Sequence, residues 1–77
     1  MKLTEAIGKR VENLLKQRKL TQYQLFKRGG IPRPTVSMIV NGKYKTVKLD
    51  TVYQIAATLD MSLKEFFDDE IFDDLED

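Results

Sequence analysis

No cysteine and no histidine occur among the 77 residues. The first absence excludes disulfides and thiolate metal sites; the second removes the commonest general base and the commonest metal ligand. Long apolar runs are missing as well. No stretch approaches the ~20 residues that a membrane span requires, and the amphipathic N-terminal segment lacks the pattern of a secretory signal. A reduced, cytoplasmic setting without membrane association is therefore expected. At this length the chain suits one domain with one small core, burying roughly 60% of the surface its unfolded form exposes. A hydrophobic content of 42% is enough for that core but leaves no room for a large active-site cavity. No nucleophile has a base placed beside it, and the carboxylates concentrate at one end. Catalysis, cofactors and metal ions are not expected.

What is present is an uneven distribution of charge. The net +1 conceals a body, residues 1–67, with all 13 Lys and Arg against 5 acids, a formal +8. Residues 68–77 follow with 7 acids and no base, a formal −7. A basic body suits a polyanion, because lysine and arginine displace the counterions condensed on it. The acidic end would repel that same partner. Its carboxylates lack the alternating spacing and central glycine of a calcium loop.

Hydrophobic periodicity predicts helices throughout. Residues 4–18 place Ile7, Val11, Leu14 and Leu15 on one face. Lys16, Arg18 and Lys19 crowd the end of that helix, where its negative pole favours them; phosphate contact is the alternative. A second helix is expected over 22–28 and a third over 33–40, burying Val36, Ile39 and Val40. Pro34 fits the first turn of the third helix, where its missing amide costs nothing. Arg33, as the residue before a proline, is expected to flank that helix. Asn41-Gly42 is also a strong hairpin signal, but its flanks lack period-2 alternation, so Gly42 is expected to end the third helix. Residues 49–59 predict a fourth helix with Leu49, Val52, Ile55, Ala56 and Leu59 inward. Ser62 to Glu65 forms a capping box, with Met61 and Phe66 as its staple, opening a short fifth helix.

The most informative stretch is residues 20–42. Thr21 and Gln24 fit a capping box, with Leu20 and Leu25 placed to staple it, and Gly29-Gly30 ends the helix and turns the chain. Two short helices joined in this way can set the second into the DNA major groove while the first braces it. The stretch resembles the helix-turn-helix of the phage Cro and repressor family, the XRE-type regulators. The matching residues are Leu20-Thr21-Gln22, Leu25, Gly30-Ile31, Thr35-Val36-Ser37, Asn41-Gly42, Leu49, Val52, Ile55-Ala56, Leu59 and Ser62 to Phe67. The resemblance covers roughly residues 4–67 and implies an all-α, five-helix, lambda-repressor-like DNA-binding domain with the helix-turn-helix at helices 2 and 3. Residues 1–67 are then the binding domain, and 68–77 an acidic C-terminal tail.

Gln22 lies in a first helical turn, where amides and side chain can meet a phosphate; in the resembled family this glutamine anchors the DNA backbone. Arg33, at the start of the recognition helix, is suited to bidentate pairing with guanine O6 and N7. Thr35 and Met38 are three apart and are expected to share the exposed face, either touching a thymine methyl or filling the contact with helix 2. By family register Pro34, Ser37 and Met38 occupy contact-capable positions. Proline offers no side-chain donor, so base reading would lean on Arg33 and apolar contact. In the family the loop after the recognition helix grips phosphates, and here it carries Asn41, Lys43, Tyr44 and Lys45. For Tyr44 a solvated turn is as good a reading, and Asn41 also suits a helix cap. Two departures stand out. Many members pair an arginine on helix 1 with a glutamate late in helix 3; the aligned residues here are Leu15 and Val40, an exchange that strands no charge. Phe26 replaces a usual alanine, which is expected to widen or tilt the packing of helices 2 and 3.

The tail carries Ile71, Phe72 and Leu75 at helical spacing. It reads as a frayed end, as a dimer contact extending helix 5, or as a surface for a basic protein partner. The resemblance implies a sequence-specific binder of double-stranded DNA, a bacterial or phage regulator acting at the nucleoid as a homodimer and repressing by operator occupancy. With no effector domain in this sequence, control would come from concentration, competition or a partner protein. Two other readings are an antitoxin whose tail neutralises a basic toxin, and a helical protein-interaction module without DNA binding.

Overall fold

The first helix, α1, spans Leu3–Gln17 and opens with the Glu5 carboxylate accepting from the Lys2 amide at 2.9 Å. A lysine side chain has no acceptor to return, so only half of a capping box forms. The computed structural model describes residues 1–76. After α1 come α2 (Gln22–Gly29), α3 (Arg33–Val40), α4 (Leu49–Thr58), α5 (Leu63–Phe67) and a single 3₁₀ turn at Glu70–Phe72. Among the described residues there is no strand, only one isolated bridge between Lys2 and Glu76.

Each helix end is closed by a recognisable device. At the end of α1 the Leu20 amide donates to the Leu15 carbonyl at 2.9 Å, with Lys19 left-handed at φ 56°. The end of α4 repeats the motif, with Met61 donating to Ala56 at 2.8 Å and Asp60 left-handed at φ 57°. Gly42 ends α3 in the same way, its successor Lys43 donating to the Met38 carbonyl at 2.9 Å, which leaves no hairpin at Asn41-Gly42. The basic cluster at the end of α1 divides its tasks. Lys16 pairs with Glu12 at 3.0 Å, Lys19 makes the turn, and Arg18 donates to the Leu59 carbonyl, capping α4. Lys16 and Lys9 together hold the Glu12 carboxyl below its ordinary value, the Lys16 hydrogen bond being the largest cause.

The core is built by Val11 and Leu14 of α1, Leu25 of α2, Val36 and Ile39 of α3, Val52 and Ile55 of α4, and Phe66 of α5. Helix α1 packs on α3, and α2 packs on both α3 and α4. Gly8 is the point of closest approach between α1 and α3: a Cβ there would collide with the Ile39 carbonyl oxygen and lie 3.0 Å from that of Val40. Leu49 departs from expectation. It is 60% exposed, because Lys48, Leu49 and Asp50 form a first turn that stands outside the core which Val52, Ile55 and Ala56 enter.

Leu15 lies in the core at 5% exposure and Val40 packs against that core, so the two apolar residues strand no charge. The buried arginine of α1 is Arg10, with 7% exposure. It donates to the Phe66 carbonyl at 2.8 Å and the Glu65 carbonyl at 3.0 Å, and pairs with Asp69 at 3.0 Å. Those carbonyls belong to the last turn of α5, which has no further helix to satisfy them. Through Asp69 the same arginine holds the start of the acidic tail.

From residue 68 to 76 the tail therefore follows a definite path over α1 and neither frays nor extends α5. Asp69 also accepts from the Ile71 amide at 2.9 Å, which sets the 3₁₀ turn. Phe72 folds back onto Phe66 and Phe67, with ring centroids 6.2 and 5.0 Å away. Glu76 then donates its amide to the Met1 carbonyl at 3.0 Å.

Candidate nucleic-acid interface

The start of α2 is fixed by a reciprocal cap. Thr21 Oγ1 accepts from the Gln24 amide at 3.1 Å, while Gln24 Oε1 accepts from the Thr21 amide at 2.9 Å. The amides of Gln22 and Tyr23 make no hydrogen bond among the described residues, so the positive pole of α2 faces outward with two free donors. Gly30, left-handed at φ 68°, ends α2 by donating to the Phe26 carbonyl at 2.9 Å. A side chain would strain that turn, and Ile31, 2% exposed, then plugs the angle between the helices.

Helix α3 starts at Arg33 itself, because the Val36 amide closes the first turn on the Pro32 carbonyl at 3.1 Å. That bond outweighs the pre-proline preference for extended backbone, and it moves the flanking position back to Pro32. Gln22, Arg33, Pro34 and Ser37 line one shallow depression between the start of α2 and the first turns of α3. Met38 stands exposed on α3, and the Asn41 side chain donates to Ser37 Oγ at 3.4 Å. Lys43 is exposed just after the helix.

Three sequence candidates lie elsewhere. Thr35 is half-buried and turns from Met38 into a neighbouring groove, which it lines with Ile39, Tyr44, Thr46, Val47, Lys48 and Thr51. Residues three apart on a helix still differ by about 60° in direction, enough to send one side chain toward α4 and leave the other in solvent. Tyr44 is half-buried against the core in that groove and is not a freely solvated turn residue. Lys45 borders a third depression with Lys2, Thr4 and Glu76, on the side of α1 and the tail.

One residue of this surface was missed in the sequence. The Arg33 guanidinium carbon lies 5.2 Å from the centre of the Tyr23 ring, and Lys27 Nζ lies 6.0 Å from the same ring. The i, i+4 spacing of Tyr23 and Lys27 is readable in a helix. The contact with Arg33 crosses the turn and depends on the angle between α2 and α3. Phe26 is half-buried with its ring 6.0 Å from that of Tyr23.

The surface is thus a pair of short helices presenting open amides, an arginine and small polar groups together, with lysines around them. Such a surface suits phosphate and base-edge contact. Among the described residues no helix is long and apolar enough to cross a membrane. A sequence model of the helix-turn-helix family matches residues 11–66, from the middle of α1 to α5. No curated protein and no solved structure matches the chain.

Proposed function

The chain belongs to the helix-turn-helix family of Cro/repressor-like, XRE-type DNA-binding regulators, and on that premise we propose that it is a sequence-specific repressor acting as a dimer. The family binds double-stranded DNA and is a regulatory family, not one of enzymes. In the proposed mechanism α3 enters the major groove while the start of α2 sits on the backbone. The two recognition helices of a dimer lie about 34 Å apart in successive grooves. Occupying the operator then blocks transcription by steric exclusion.

The observation that carries this reading is the shared depression of Gln22, Arg33, Pro34 and Ser37. Gln22 and the two free amides beside it are suited to a phosphate. Arg33 is suited to guanine, Ser37 to a second base edge, and Met38 to a thymine methyl. Lys43 and Asn41 follow where the backbone would leave the groove, with Lys45 further round toward α1. Thr35 and Tyr44, in the neighbouring groove, support the pose of α3 instead of touching bases.

Selection of bound sites from a random duplex library at two salt concentrations tests the proposal. A short inverted repeat is expected. Salt-sensitive binding with no motif would reduce the role to general coating of DNA. On the selected site, Arg33→Ala should cost about 1–3 kcal/mol and relax preference at one base pair. Undiminished affinity and preference would remove Arg33 from base reading.

A further inference from the structure

We infer that Tyr23, on the bracing helix, is the positioning residue that sets Arg33 for base recognition. The inference rests on the base-reading role proposed for Arg33. An arginine at the start of α3 is exposed, and its long side chain has many rotamers to lose on binding. Among the described residues Arg33 has no carboxylate partner and donates no hydrogen bond. What fixes its direction is the Tyr23 ring, 5.2 Å from the guanidinium carbon. A carboxylate in that place would occupy the N–H fork and cancel the charge. A ring attracts the cation while leaving the fork and the charge for the DNA.

The ring itself is held by its surroundings. Tyr23 is the second residue of α2, whose start is locked by the Thr21–Gln24 cap. The Phe26 ring supports it at 6.0 Å, and Lys27, also 6.0 Å away, adds a second cation beside it. Since Tyr23 is 48% exposed, removing its side chain leaves no core cavity. Its part in α2 is therefore separable from stability, which makes the inference testable.

The test measures equilibrium binding to two duplexes: the one recovered by selection, and the same duplex changed at the base pair whose preference Arg33→Ala relaxes. Discrimination is the ratio of the two affinities. Tyr23→Ala should lower it about two- to fivefold, the ratio an exposed cation–π contact supplies. Tyr23→Phe, which keeps the ring, should restore it, and Tyr23→Ala added to Arg33→Ala should change nothing further. Equal loss on both duplexes would overturn the inference and make Tyr23 a backbone contact. So would a Tyr23→Phe loss as large as that of Tyr23→Ala, which would assign the effect to the hydroxyl. If Arg33→Ala leaves discrimination unchanged, the base-reading role fails first, and the inference falls with it.

Discussion

Helix propensity alone favours alanine over glycine at position 8 by about 1 kcal/mol, yet the fold demands the glycine. A methyl group there would run into the Ile39 carbonyl oxygen at the end of the recognition helix. Backbone cannot rotate aside as a side chain can, so α1 and α3 would have to separate. Gly8→Ala should therefore lower the unfolding free energy by about 2 kcal/mol despite the propensity gain, read as a shifted urea midpoint. A midpoint that stays or rises would mean that α1 does not lie so close to α3. Nothing in the helical pattern of residues 4–18 marks Gly8. Arg10 was equally silent: one basic residue among several, until the end of α5 and Asp69 converge on it.

Among the elements, the two capping boxes were fully legible, because a cap needs only residues three apart in sequence. Ser62 Oγ accepts from the Glu65 amide at 3.0 Å, and the Glu65 carboxylate accepts from the Ser62 amide at 2.9 Å. That backbone hydrogen bond is the main cause that holds the Glu65 carboxyl below its ordinary value of 4.5, with the Ser62 side chain adding to it. A depressed carboxyl contributes stability that is full above its unfolded value and is lost as pH falls through the folded one. The loss therefore begins near pH 4.5 and continues below it. Glu65→Gln keeps a back-bonding side chain without the titration. Its melting temperature should fall less than that of the unmodified chain between about pH 6 and about pH 3. Parallel curves would show that the cap adds nothing to the acid limb. The boundary of α3 was less legible, since the pre-proline rule competes there with closure of a first turn on Pro32.

Over the whole molecule, the acidic segment is tied to the basic body it follows. Deleting it outright would strand Arg10 and uncover Phe66 and Phe67, mixing stability with electrostatics. Asp68, Asp73 and Asp74 are exposed and take no part in an ion pair among the described residues. Changing these three to Asn preserves the Asp69 and Glu76 contacts while removing three negative charges. Non-specific DNA binding should tighten on the order of threefold to tenfold at low salt. The gain should vanish toward 1 M salt, where screening acts within about 3 Å. Titration of duplex DNA at several salt concentrations measures this. An unchanged affinity at low salt would mean that the segment's charge does not reach the bound DNA.

Helix content, the turn at Gly30, the two capping boxes, and the register matched over residues 11–66 were determined by the sequence itself. They depend on neighbours within a few positions, where backbone geometry converts spacing directly into structure. Other features were decided only when the helices packed. These include the Tyr23–Arg33 contact across the turn, the approach of α1 to α3 at Gly8, and the turn of Thr35 away from Met38. The course of the tail over Arg10 belongs with them. Each depends on how segments apart in sequence come together in space. Crossing angles and the depth of side chains in the core set that arrangement, and neither is written in any local pattern.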